Sequence, residues 1–324
     1  MRVLVCGGAG YIGSHMVRRL RAAGHVATVF DNLSTGHRAA VGDAQLVVGD
    51  LRRQADLEAV LAGDRFDAVM HFCARSLVGE SVMQPYDYYD NNVVGTLNLL
   101  QAMRTAGVDR LVFSSTAAVF GLPQADRIDE THPIAPINPY GASKAMAERI
   151  LADAAVAYGL RSVALRYFNA AGATPSGEIG ESHDPETHLI PNVLRAALGQ
   201  GAGLKVFGND YPTHDGTCIR DYVHVDDLAS AHLAALEYLQ TQPGAHSFNL
   251  GNGNGFSVLE VIEAAVRVAG HSIPYTIEER RSGDPDVLVA SSERARSVLG
   301  WHPRSADIEA IIASAWRWHR SPRY

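Results

Sequence analysis

The chain has 324 residues, enough for two domains of roughly 150 residues each or for one large α/β domain with an extension. Its 47% hydrophobic and 19% charged residues exclude a disordered chain. A net charge of −7 argues against a nucleic-acid surface, which needs clustered Lys and Arg, but leaves room for a small anion held by one or two arginines. No apolar run reaches the ~18 residues of a membrane span, and the opening Met1–Cys6 does not read as a signal peptide. Cys6, Cys73 and Cys218 are scattered and form no C-x-x-C pair. A reducing, cytoplasmic setting without disulfides is therefore expected. The 14 histidines form no H-x-x-x-H or H-E-x-x-H motif, so no metal is expected.

In chain order the first half alternates strand and helix signals. The strands are Arg2–Cys6, Val26–Phe30, Gln45–Val48, Ala68–Phe72, Arg110–Ser114 and Ser162–Tyr167. The helices are Ile12–Ala23, Ala55–Leu61, Pro85–Ala106 and Pro139–Tyr158. This alternation predicts βαβ units and a doubly wound parallel sheet of Rossmann type. The stretch Ala170–Pro191, rich in Gly, Pro, His and Asp, reads as a hinge. Helices at Ile190–Leu198, Val225–Leu239, Val258–Ala269 and Ile308–Trp318 follow it, with strands Leu204–Phe207 and Ser247–Leu250. The expected division is a nucleotide-binding domain over residues 1–170 and a smaller α/β domain over residues 171–324, with a discontinuous boundary.

Gly7, Gly10 and Gly13 follow the first strand and open the first helix. That spacing suits a tight turn, close backbone approach to a pyrophosphate, and close helix–strand packing. Asp31 ends the second strand, 18 residues beyond Gly13. A carboxylate there accepts from both adenosine ribose hydroxyls and repels a 2′-phosphate, which favours NAD over NADP. Asp50, after the third strand, stands where an adenine amino group would lie, and reads almost as well as a helix N-cap.

Of 28 basic residues only Lys144 and Lys205 are lysines, so a lysine retained here is expected to need a compact ammonium. Tyr140 and Lys144 stand four apart at a helix start and share one face. The ammonium is expected to lower the phenol pKa and make Tyr140 a base. Ser114-Ser115-Thr116, at the end of the fifth strand, offers a hydroxyl that would share the substrate oxygen. His224 with Asp226 and Asp227 reads as helix capping and packing. Cys73 reads as an unactivated thiol.

These residues resemble the extended short-chain dehydrogenase/reductase superfamily and, within it, the UDP-glucose 4-epimerase family. The segments that carry the resemblance are Asp31-Asn32-Leu33-Ser34, His71-Phe72-Cys73-Ala74, Tyr88-Tyr89-Asp90-Asn91-Asn92-Val93 and Arg166-Tyr167-Phe168-Asn169. Phe207-Gly208-Asn209-Asp210-Tyr211-Pro212-Thr213, Arg220-Asp221-Tyr222-Val223-His224-Val225 and Gly300-Trp301-His302-Pro303 complete it.

The resemblance implies that Tyr140 is the acid–base group, Lys144 its tuning partner and holder of the nicotinamide ribose, and Thr116 the hydroxyl partner. It implies NAD contacts from Gly7, Gly10, Tyr11, Ile12, Gly13, Asp31, Asn32, Ser34, Asp50, Leu51, Phe72, Ala74, Ser76, Asn91, Ser114 and Phe168. It implies UDP-sugar contacts from Asn169, His188, Leu189, Lys205, Val206, Phe207, Arg220, Arg281, Asp284 and Leu288, the two arginines gripping the diphosphate. A homodimer through Pro85–Ala106 is implied as well.

Three positions depart from the family pattern: Cys6 for Thr, Ser76 for the Lys of some members, and Leu288 for a Tyr or a small residue. The expected function is interconversion of UDP-galactose and UDP-glucose. The alternative is 4-epimerisation of another UDP-sugar, an N-acetylhexosamine, a pentose or a uronate. A 4,6-dehydratase would need Asp-Glu after Thr116, where Ala117-Ala118 stand. A cofactor-sensing binding protein would not need the Tyr140/Lys144 pair.

Overall fold

The computed structural model describes residues 1–201, 203–281 and 283–324. The strands are β1 (Arg2–Cys6), β2 (Val26–Asp31), β3 (Gln45–Val48), β4 (Ala68–His71), β5 (Arg110–Thr116), β6 (Arg161–Tyr167), β7 (Asn169–Ala171), β8 (Leu204–Phe207), β9 (Ile219–His224), β10 (Ala245–Leu250), β11 (Gly255–Ser257), β12 (Tyr275–Glu278) and β13 (Val287–Leu288). Seven of them form one parallel sheet in the order β10-β6-β5-β4-β1-β2-β3. The sequence is doubly wound about β1, and the order reverses between β1 and β4. That switch point opens a crevice at the carboxyl ends of the strands.

The alternation of β1 explains the two layers. Val3 and Val5 face a core shared with the helices Tyr11–Ala22 and Val225–Tyr238. Leu4 and Cys6 face the opposite core, under the helices Gln54–Gly63, Gly95–Ala106 and Pro139–Tyr158. A strand buried on both faces reads as a continuous apolar run, as Val3–Cys6 does.

The second half does not form one block. β10 pairs with β6 at the edge of the large sheet, and the helix Val225–Tyr238 packs on the first helix. The remaining strands make a smaller group, β9 between β11 and β13 with β7 beside it, and the pair β8 and β12. Their core gathers Val193, Leu194, Val261, Ile262, Ile311 and Ile312.

Pro85–Ala106 is not one regular helix. It runs as α-helix to Tyr88, as π-helix over Tyr89–Val94, and as α-helix again from Gly95. Such a wide turn turns side chains inward that a regular helix would place elsewhere. The helix Pro139–Tyr158 starts with Pro139, is capped by Asn138 Oδ1 accepting from Gly141 N–H at 2.8 Å, and ends at Gly159 in the left-handed region.

One ion pair ties that helix to the sheet. Arg166 Nε and Nη2 donate to Glu148 at 3.0 and 2.5 Å, and Ser115 Oγ donates to Glu148 at 2.5 Å. Both side chains are almost wholly buried, and Arg166 Nη1 finds no partner among the described residues. Glu148→Met alone strands the guanidinium and is expected to cost about 3–5 kcal/mol in denaturant unfolding. The double variant Glu148→Met/Arg166→Met is expected to recover most of that. A double variant less stable than the single one would contradict this reading of the pair.

Candidate active site

The glycine turn is shaped by contact. Gly7 has φ +81°, and a Cβ there would lie 2.7 Å from the Cys73 nitrogen. A Cβ on Gly13 would overlap the Gly7 carbonyl oxygen. The turn therefore lies tight on β4 and on its own helix, as only glycine allows. The helix Tyr11–Ala22 has no side-chain N-cap bond and no acid in its first turn, so its free N–H groups suit an anion. These features fit a dinucleotide pyrophosphate.

Asp31 is buried, with Oδ2 accepting from Ala9 N–H at 3.0 Å and Oδ1 from Leu33 N–H at 2.8 Å. Burial pushes its carboxyl above the ordinary value, and the two backbone bonds oppose the shift. Each oxygen keeps a lone pair for a ribose hydroxyl. Leu33 stands at φ +59°, a left-handed conformation that bends the chain around this carboxylate.

Asn32 Nδ2 donates to Asp50 at 3.1 Å, Asn32 Oδ1 accepts from Ser34 N–H at 3.0 Å, and Arg52 donates to Asp50 at 2.6 Å. Those bonds hold the Asp50 carboxyl far below the usual range. Asp50 lies at the rim with Asn32, while Leu51 packs into the core below.

The candidate acid–base pair, Tyr140 and Lys144, lies on the helix Pro139–Tyr158, and Lys144 reaches the end of β5. Lys144 is 3% exposed, and its Nζ donates to the Ser114 carbonyl at 2.7 Å and lies 4.6 Å from the centre of the Phe113 ring. Burial pulls its pKa down to about 7. Burial raises the Tyr140 phenol pKa, and the Thr116 side chain opposes that shift. The expectation that Lys144 depresses Tyr140 is thus corrected: among the causes of the Tyr140 shift, burial leads and Thr116 opposes it.

Several partners were not read from the sequence. Asn92 is buried in the π-helical turn. Its Nδ2 donates to Ser143 Oγ at 2.9 Å and to the Arg75 carbonyl at 3.0 Å, and its Oδ1 accepts from Arg75 N–H and Asn91 Nδ2, both at 2.9 Å. Ser143 in turn donates to the Tyr140 carbonyl at 2.7 Å. Tyr88 packs edge-on to Tyr140, with centroids 6.5 Å apart, and its hydroxyl donates to Glu80 at 2.7 Å. His232 Nε2 faces Ser114 Oγ at 3.2 Å while Nδ1 meets the Leu228 carbonyl at 2.8 Å, which fixes Nδ1–H and leaves Nε2 as acceptor. Only the unusual pair Asn91-Asn92 offered a sequence signal.

The remaining residues divide. Arg220 pairs with Asp284 at 3.2 Å, Arg281 lies 3.6 Å from the same carboxylate, and the Arg281 guanidinium stacks on Phe207 at 4.5 Å. Ser282, between them, lies outside the described residues. Leu288 sits beside Arg220 in the β13/β9 pairing and packs on the cluster of Phe168, Phe120 and Ala290. Asn169 Nδ2 donates to the Asp221 carbonyl at 2.9 Å. Phe72 tilts against His232, Ala74 is half-buried, and the Tyr11 hydroxyl donates to the Gly172 carbonyl at 2.6 Å. Ile12 packs on the core.

One expectation is corrected. Lys205 is exposed and pairs with Glu278 at 3.3 Å, so lysine scarcity marked one buried ammonium and not two. Ser76 is exposed on the turn after β4. Val206 is core, and the Phe207 ring lies under the Arg281 guanidinium. His224 caps its helix, accepting from Asp226 N–H at 3.1 Å, and Asp227 accepts from Arg304 and Ser305 N–H, both at 2.9 Å, as structural residues do. Burial pushes the Cys73 thiol well above its ordinary value.

Residues 3–251 match the model of the NAD dependent epimerase/dehydratase family. A UDP-glucose 4-epimerase of Streptococcus mutans is 54% identical over 324 residues, spanning 99% of this chain and 97% of its own. The solved UDP-glucose 4-epimerase of Brucella ovis in complex with NAD is 49% identical, with a TM-score of 0.95 over 98% of each chain. That of Bifidobacterium longum, in complex with NAD+ and UDP, is 40% identical, with a TM-score of 0.95 over 99% of each chain.

Burial of Lys144 has a stability signature. Its folded pKa, about 7, lies below the ~10.4 of an unfolded lysine. Between those values the unfolded chain holds a proton that the folded chain lacks, so this group's penalty is full below pH ~7 and fades as pH rises. Lys144→Met is therefore expected to raise the Tm of cofactor-free protein most at or below neutral pH, with the gain shrinking toward pH ~10. A Tm loss that is the same at every pH would contradict it.

Proposed function

The chain belongs to the NAD dependent epimerase/dehydratase family, and we propose that it interconverts UDP-galactose and UDP-glucose by inverting carbon 4 of the sugar. The observation that carries this reading is a buried Lys144 whose ammonium reaches the Ser114 carbonyl at the end of β5, one helical turn from Tyr140, in a switch-point crevice whose glycine turn fits NAD. Almost the whole chain aligns with epimerases, which supports it.

Bound NAD supplies a reversible hydride acceptor at the sugar carbon. The protein supplies the rest. The glycine turn and Asp31 hold the adenosine diphosphate half, with Asn32, Ser34, Asp50 and Leu51 at its rim. Phe72, Ala74, Ser76, Asn91, Ser114 and Phe168 line the nicotinamide end. Tyr140 takes the proton of the sugar 4-hydroxyl as that carbon is oxidised and returns it on reduction, with Thr116 sharing the oxygen.

Arg220 and Arg281 grip the diphosphate. Asn169, His188, Leu189, Asp284 and the β8 backbone of Lys205–Phe207 position the uridine. The sugar is held loosely enough to pivot and present its other face. No atoms are gained or lost, so one bound cofactor serves successive turnovers.

Further readings follow from the same frame. Residues 1–170 with the returning 225–250 form the NAD-binding unit, and the rest of 171–324 the UDP-sugar unit. Val82, Met83, Tyr86, Leu97 and Met146 are exposed on the helices flanking the π-helical turn and on Pro139–Tyr158, and two copies pair there as a homodimer. All three cysteines are free, which suits the cytoplasm. No helix among the described residues is long and apolar enough to cross a membrane.

Incubation with UDP-galactose, without added cofactor, is expected to yield UDP-glucose. Tyr140→Phe is expected to lower turnover by about 10²–10⁴ with NAD binding intact. Turnover within twofold of the unaltered protein would remove Tyr140 from the mechanism.

Protein stripped of cofactor is expected to bind NAD more tightly than NADP, because Asp31 repels a 2′-phosphate. Asp31→Ser should narrow the difference. Equal affinities in the unaltered protein would contradict the ribose assignment.

Leu288, beside Arg220, gates the pivoting sugar. Leu288→Tyr should lower the ratio of N-acetylhexosamine to plain hexose activity, and Leu288→Ser should raise it. A ratio unchanged in both variants would remove the gate.

A further inference from the structure

One polar cluster borders the site described above and shares His188 with it. In the segment entering the helix Leu189–Ala197, Glu181, His183, Glu186 and His188 bring one donor atom each within 4.8 Å of one another. His183 Nδ1 lies 3.2 Å from Glu181 Oε1 and 3.7 Å from Glu186 Oε2. His188 Nδ1 lies 3.8 Å from Glu186 Oε1 and closer to Glu181. A tetrahedral ion with bonds of ~2.0–2.1 Å sets its donors ~3.3–3.4 Å apart, so small side-chain shifts would let the four converge.

The carboxylates are the telling part. The Glu181 and Glu186 side chains are 4% and 0% exposed. Glu186 Oε1 accepts from the backbone N–H of Thr187 and His188 at 2.8 and 2.9 Å. Glu186 Oε2 is buried, points at His183, and has no hydrogen-bond partner among the described residues. A buried acceptor left unpaired is destabilising, and such atoms need an explanation.

The surroundings hold the cluster in place from three sides. Trp318 Nε1 donates to the Glu181 carbonyl at 2.8 Å, and His37 Nε2 meets the Ser182 carbonyl at 3.1 Å. The Tyr11 ring stands edge-on to His183 with centroids 6.3 Å apart, and Arg195 Nη2 donates to the His183 carbonyl at 3.3 Å. The cluster thus lies in the seam between the first glycine helix, the turn after β2, and the C-terminal helix Ile308–His319.

We propose that Glu181, His183, Glu186 and His188 bind one divalent transition cation of the zinc type, as a structural site separate from the redox chemistry. Two carboxylates neutralise the dication, and two imidazoles select Zn²⁺ over Mg²⁺, which wants oxygen ligands in an octahedron. Four protein ligands leave no open position, as in structural rather than catalytic zinc sites. The ion would pin the segment carrying His188 and Leu189 to the glycine helix, and His188 would ligate through Nδ1 with Nε2 left free. The ligand spacing, Glu181-x-His183-x-x-Glu186-x-His188, contains no H-x-x-x-H, which is why the sequence raised no metal expectation.

The test uses tag-free, full-length protein treated with chelator and dialysed. Calorimetric titration with Zn²⁺ is expected to show one equivalent per chain and a rise in Tm. Titration with Co²⁺ is expected to give the intense visible bands of a tetrahedral site. In Glu186→Gln and His183→Gln the affinity should fall ~100-fold or more, since changes even beyond the ligands cost about 10–100-fold. NAD binding by either variant shows that it has folded, and either one suffices. Absence of saturable one-to-one binding, or equal binding by the unaltered protein and a folded variant, would overturn the site. Because the readout is metal binding, this outcome is independent of the epimerase reading.

Discussion

The burial of one ammonium beneath the end of β5 organises the molecule. Lys144 has left water for a single carbonyl, that of Ser114, and the face of Phe113. Desolvation of that size is costly, and groups so perturbed cluster at functional sites. Each neighbour then has a task. Glu148, one helical turn further on, holds the helix against β5 and β6 through Ser115 and Arg166. Asn138 and Pro139 set the first turn, so that Tyr140 and Lys144 share one face and Lys144 reaches inward to Ser114. Asn92 and Ser143 lock that turn from the far side.

A second constraint is how closely backbone approaches backbone at the switch point. Gly7 and Gly13 leave no space for a Cβ, so the turn between β1 and its helix lies against β4. The same closeness puts the helix N-terminus, the Asp31 carboxylate and the end of β5 along one crevice. In the proposed reading, strand order is what brings the cofactor to Tyr140 and Lys144, and Arg220 and Arg281 complete the site from the smaller group of strands.

Much of this could be read from residues alone. Strands buried on both faces are continuous apolar runs, and Gln45–Val48, Leu204–Phe207, Pro139–Tyr158 and Val258–Ala269 lie where their patterns place them. The strands that were missed, β7, β9, β11, β12 and β13, are short or carry polar residues paired across the chain, so periodicity had little to register. The π-helical turn left no signature beyond two asparagines. Asp31 and Tyr140 could be found because their chemistry depends on local spacing. Asn92, Tyr88 and His232 act through partners far away in sequence. Lys205 shows the limit of an argument from rarity, since its exposed ammonium pairs with Glu278 at the surface.

The division of labour is a firm grip on cofactor and diphosphate around a loosely held sugar, with one phenol moving one proton. Its central claim is that the C4 hydrogen leaves and returns as a hydride without reaching solvent. The most direct measurement is conversion of UDP-galactose deuterated at C4, with the product analysed by mass spectrometry and NMR. The account predicts UDP-glucose that keeps its deuterium at C4, at every extent of reaction. Deuterium washed out into water would show proton abstraction at carbon and would contradict it.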